Sequence, residues 1–159
     1  MVSFSEWWPY LRDSTALVGA SFALHSFRRA QRQRRAEWLS GLYSQFFETA
    51  HYKAIRRILD YETEPELSEL RECVEAGEYS ELSEQFVDYL NFFEYLGSLR
   101  ELGQISSEEI SLLFEYYIHR LHDHEFVDRF ARAQGFERLT LLLDECRRCT
   151  ANPRAAAPA

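Results

Sequence analysis

Residues Ser80 to Leu121 run SELSEQFVDYLNFFEYLGSLRELGQISSEEISLLFEYYIHRL, and this stretch decides the fold class. Leu82, Phe86, Tyr89, Leu90, Phe93 and Leu96 recur at three- and four-residue spacings, one face of a helix. Phe92, Tyr95 and Leu99 add a second apolar stripe, so this helix is expected to be buried on most sides, at the centre of the fold. Ser80 opens it and Gly103 closes it. Three residues after that glycine, Ser106 with Glu109 forms the Ser-x-x-Glu pattern of a reciprocal helix cap. The next helix carries Ile110, Leu113, Phe114, Tyr117, Ile118 and Leu121. So short a connection predicts an antiparallel pair.

The same period extends in both directions. Trp38, Leu39, Leu42, Tyr43 and Phe46 form one stripe, with no helix breaker between Ser14 and Phe47, so a single long N-terminal helix is expected. Thr49 is a candidate cap for a helix containing Tyr52, Ile55, Ile58 and Leu59. Pro65 fits the first turn of a short helix, capped by Thr63 or Glu64 and ending at Gly77. Two more helices are expected at about 125–134 and 136–148, divided by Gly135. With few Gly and Pro and no strand pattern, the chain is expected to be an all-α bundle of about six or seven helices.

Charge divides the 159 residues unevenly. The net charge is −8, yet residues 1–35 carry six Arg against Glu6 and Asp13. Three segments are therefore expected: an aromatic, apolar and basic arm over 1–35, a helical domain over 36–150, and an Ala/Pro-rich disordered tail over 151–159. The arm holds Trp7, Trp8 and Tyr10, then the apolar run from Ser14 to Phe27, then Arg28, Arg29, Arg32, Arg34 and Arg35. Aromatic and basic flanks are the marks of a membrane-held helix, but the run falls short of the roughly 20 residues that span a bilayer. The acidic body would repel nucleic acid and anionic lipid, so any such contact is assigned to the arm. Trp7, Trp8, Leu17, Phe22 and Phe27 would supply apolar contact and the five Arg electrostatics. Three cysteines are an odd number, and the start lacks the pattern of a secretory signal, so a reducing, cytoplasmic setting is expected.

Candidate chemistry is sparse. His119, His122 and His124 cluster, but their spacing matches no helical metal signature, and a helix-ending polar group explains them. Glu48-x-x-His51 has no second copy, as a di-iron bundle would require. Cys146-x-x-Cys149 lacks the other half of a zinc site or a thioredoxin-like context, and is taken as ordinary helix-end sequence. No phosphate loop or nucleophile elbow is present, and no cofactor or metal is called for. Glu94 stands in the most apolar part of the central helix. Burying a carboxylate is costly unless it is paired, so Glu94 is expected either to pair with Arg56, Arg57 or Arg100, or to act as an acid in a cleft with Tyr89, Tyr95 or His119.

Several of these runs resemble a family of small bacterial helical proteins grouped only as a domain of unknown function. They are Arg28-Arg29-Ala30-Gln31-Arg32-Gln33-Arg34-Arg35-Ala36-Glu37-Trp38-Leu39, Leu42-Tyr43-Ser44-Gln45-Phe46-Phe47, Ile55-Arg56-Arg57-Ile58-Leu59-Asp60, Leu90-Asn91-Phe92-Phe93-Glu94-Tyr95, Leu102-Gly103-Gln104-Ile105-Ser106 and Gly135-Phe136-Glu137-Arg138-Leu139. The likeness covers about Ala16 to Leu143. In that family an apolar N-terminal helix and a basic stretch often precede a helical domain, which implies a bacterial origin and raises membrane attachment; it carries over no catalytic residue. The expectation is a non-enzymatic interaction or adaptor module at the inner membrane surface, with a protein partner. The alternatives are a ligand-binding or enzymatic bundle using Glu94 and, more weakly, a nucleic-acid adaptor using Arg28 to Arg35.

Overall fold

The computed structural model describes residues 4–61, 64–77 and 79–151, with side chains described from Phe22 to Arg148 within those ranges. Among the described residues there are seven helices and no strand: α1 (Phe4–Glu48), α2 (Ala50–Tyr61), α3 (Glu66–Ala76), α4 (Glu81–Glu101), α5 (Ser107–Asp123), α6 (Glu125–Gln134) and α7 (Glu137–Ala151). The protein is an all-α helical bundle. It divides into two compact units within α1, the first running to Ser44 and the second starting at Gln45. The expected tail lies almost wholly outside the described residues.

In the first unit, α1 is continuous as expected, and it begins well before Ser14. Every side chain from Phe22 to Trp38 is exposed.

The second unit is built around rings. Phe46 is fully buried and meets Phe92, Phe93 and Tyr89 of α4, and Phe114 and Tyr117 of α5, with centroids 4.8 to 5.7 Å apart. Offset and edge-to-face contacts of this kind add to the area each ring removes from water. Along α4, Phe86, Tyr89, Leu90, Phe92, Phe93, Leu96 and Leu99 are all buried, which matches the two apolar stripes except at Leu82, which is half-buried, and Tyr95, which is exposed.

Helix ends follow the local signals where a side chain of the right kind stands at the cap. Ser80 accepts from the Ser83 amide and Ser106 from the Glu109 amide, each in a reciprocal box. Gly77 and Gly135 close α3 and α6 in the left-handed conformation. Thr49 takes the expected cap position of α2, its carbonyl accepting from the Lys53 amide, while its hydroxyl donates back to the Gln45 carbonyl at 2.6 Å. The other expected cap differs. Pro65 is itself the cap residue of α3 and follows a cis bond, while Glu64 accepts from the Ser68 hydroxyl.

Helices α4 and α5 meet through rings such as Phe92 and Phe114, but the helix packed most extensively along α4 is α7, which also lies on α5 and α6. The residue that admits α7 is Gly97. A Cβ placed there would stand 2.6 Å from the Arg138 Cβ and 3.2 Å from Arg138 backbone atoms. Two helices can approach this closely only where one presents no side chain.

Candidate functional site

The arm supplies the first candidate. Phe22 and Phe27 are 73% and 61% exposed, and Leu24 stands exposed between them. Arg28, Arg29, Arg32, Arg34 and Arg35 are exposed as well, with the Arg35 guanidinium 6.0 Å from the Trp38 ring. The side chains of Trp7, Trp8 and Leu17 lie outside the described residues. The apolar run of residues 14–27 and the five arginines of residues 28–35 thus follow one another along the helix axis. Among the described residues, no helix is long and apolar enough to cross a membrane.

Glu94, the second candidate, is positioned by α4 against the first turn of α7. Its carboxylate accepts from the backbone N–H of Leu139 at 2.8 Å and of Arg138 at 3.3 Å, and from the Arg138 guanidinium at 3.4 Å. The Phe136 carbonyl accepts from the Thr140 amide, which makes Phe136 the cap residue of α7. A phenylalanine side chain cannot cap, so the free amides at the second and third positions are met by a carboxylate from another helix, where the helix dipole also favours negative charge. Of the expected partners, Arg100 instead bonds Glu145, Arg57 bonds Glu66, and Arg56 has a different role. Neither do the companions expected for an acid site share Glu94's surroundings. Tyr89 is buried in the aromatic core, where desolvation pushes its phenol well above its ordinary range; Tyr95 is exposed; His119 lies on α5.

Among the described residues, Arg56 is one of two buried polar or charged residues. It donates to the Phe46 and Phe47 carbonyls at 3.0 and 3.1 Å, closing the C-terminal end of α1, and stacks over both of those rings. Cations belong at helix C-termini, and aromatic faces offset part of the desolvation of a guanidinium. Arg120 does the same for α2, donating to the Leu59 and Asp60 carbonyls, with the buried His124 ring 3.3 Å from the Leu59 carbonyl. Burial raises the Asp60 carboxyl pKa, against the lowering pull of Arg120 and Arg56.

The histidine cluster therefore disperses. His124 faces α2, the His122 ring accepts from Arg147 at 3.3 Å, and His119 turns toward α7. His51 stands 3.9 Å from Asp88. Among the described residues, no group of three or more His, Cys, Asp or Glu is arranged to hold a metal ion.

One pairing was not legible in the sequence. The Cys146 sulfur lies 3.0 Å from His119 Nδ1, and the opposite ring nitrogen lies 3.9 Å from the Glu115 carboxylate. The three border a cleft of about 180 Å³ between α5 and α7, whose wall includes Ile118 and Leu142 and whose rim includes the Arg100–Glu145 pair. Glu115 and His119 are one helical turn apart and share a face, which sequence could show; Cys146 joins them only because α7 packs on α5. The Cys149 side chain lies outside the described residues. No family model matches the chain, nor does any curated protein or any solved structure.

Proposed function

We propose that the protein is a non-enzymatic helical interaction module held at an anionic membrane surface by the arm of α1. The observation that supports this reading is the exposure of Phe22, Leu24 and Phe27 directly before five exposed arginines. Burying one such apolar side chain is worth about 1.5–3 kcal/mol, and each cation near an anionic leaflet about 1 kcal/mol. Because the two kinds of residue are separated along the axis and not around it, the apolar part would enter the interface end-on. The arginines would then form a collar at headgroup level, as basic side chains do near the ends of inserted helices. The acidic second unit would be repelled by such a surface, which leaves it to a protein partner. Glu94 gives the enzymatic alternative little support, because its oxygens are engaged in holding α7.

The test is flotation of the full-length protein with vesicles of phosphatidylglycerol and phosphatidylcholine, against phosphatidylcholine alone. The expected result is flotation with the anionic vesicles, weakened by Phe22→Ser with Phe27→Ser and by Arg→Gln at the five positions. Failure to float on either composition refutes the membrane reading. Binding of duplex DNA that falls steeply with salt, without flotation, would favour the nucleic-acid alternative.

A further inference from the structure

We infer that Cys146 is a nucleophilic thiol activated by His119, and that the cleft between α5 and α7 admits a small hydroperoxide as its electrophile. The arrangement sets a nucleophile against a base, with a carboxylate near the far side of the ring. Sγ is within hydrogen-bond distance of Nδ1, and the Glu115 carboxylate lies 3.9 Å from the nitrogen on the far side of the ring. Cys146 is half-buried and borders the cleft, so a small molecule can reach the sulfur while much of the side chain is held in place. The other charged groups on the cleft, Arg100 of α4 and Glu145 of α7, are bonded to each other.

The chemistry follows from these groups. The thiol proton passes from Sγ to Nδ1. The thiolate attacks the terminal oxygen of the hydroperoxide, forming an S–O bond as the O–O bond breaks. The imidazolium returns its proton to the departing alkoxide. The products are a sulfenic acid at Cys146 and an alcohol; sulfur is oxidised by two electrons and the peroxide is reduced by two. Breaking an O–O bond asks for a nucleophile and a proton donor, which are the two groups the cleft brings together.

The experiment uses the full-length protein and its own internal control, Cys73, which is also half-buried. Peptide mapping after brief exposure to iodoacetamide at neutral pH gives the alkylation rate of each cysteine. A parallel sample receives hydrogen peroxide with dimedone, which traps sulfenic acid. Cys146 is expected to alkylate about tenfold faster than Cys73 and to carry the dimedone adduct, and His119→Gln should remove most of that advantage. Equal rates at Cys146 and Cys73, or no dimedone adduct at Cys146, would overturn the inference. The comparison of two cysteines within the unsubstituted protein holds even if His119→Gln unfolds it. If that variant keeps the melting transition of the parent and also keeps its Cys146 rate, the role of His119 is refuted.

Discussion

Replacing Glu94 should loosen α7 by an amount that the hydrogen bonds at its first turn allow to be worked out. The carboxylate is about four-fifths buried, its side chain being 20% exposed, and it meets two backbone N–H groups that have no cap of their own. A hydrogen bond to a charged group is worth about 1.5–3 kcal/mol, and a partly buried charge at a helix terminus adds up to roughly 2 kcal/mol. These contributions overlap, because the same oxygens make both. A loss of about 3 kcal/mol is therefore expected for Glu94→Ala. Glu94→Gln keeps the shape and one acceptor but loses the charge, and should lose about 1–2 kcal/mol. For a unit of this size each kcal/mol moves the melting temperature by roughly 4 °C, so Glu94→Ala should melt about 12 °C lower. The guanidinium of Arg138 also touches Glu94 but is 41% exposed and shared with Glu101, so Arg138→Met should cost under about 1 kcal/mol. Thermal denaturation followed by circular dichroism gives the three shifts, and amide hydrogen exchange should show lost protection at Arg138 and Leu139. A Glu94→Ala protein that melts within about 2 °C of the parent would refute the capping argument. So would an Arg138→Met protein as damaged as Glu94→Ala, since the ion pair and not the helix terminus would then be what matters.

Two further outcomes test the same packing. Gly97→Ala would raise stability by about 1 kcal/mol if the helix face were open, because alanine is the better helix former. With a Cβ at 2.6 Å from the Arg138 Cβ, it should instead lower stability by about 1–3 kcal/mol, and the sign of the melting shift decides the point. Asp128 is raised by burial, but the guanidinium groups of Arg132 and Arg147 outweigh this and leave its carboxyl pKa below the ordinary 3.8. A depressed carboxyl contributes stability at pH values above its unfolded pKa and loses it as pH falls toward its folded one. Urea denaturation between about pH 3 and about pH 6 should therefore show a shallower acid loss for Asp128→Asn than for the parent, and parallel profiles would contradict this.

The periodicity of Leu82 to Leu99 and the cap signals at Ser80, Ser106, Gly77 and Gly135 determined the helices, because each acts over one or two turns of chain. Composition likewise set the arm apart, since the apolar run and five arginines are contiguous. What the helices meet was decided elsewhere. Phe136 at the start of α7 leaves its amides uncapped, which sequence could reveal as a deficit, but nothing local names Glu94 as the group that fills it. A short turn after Gly103 predicted α5 as an antiparallel partner of α4, but nothing local showed that α7 packs most extensively along α4, at the side-chain-free surface of Gly97. Once α7 lies on α5, Cys146 comes beside His119, although 27 residues separate them in the chain. Helix identity is a short-range property of spacing and caps. Partnership depends on which surfaces can come close enough to exclude water, and that is settled only when all the helices compete for the same faces.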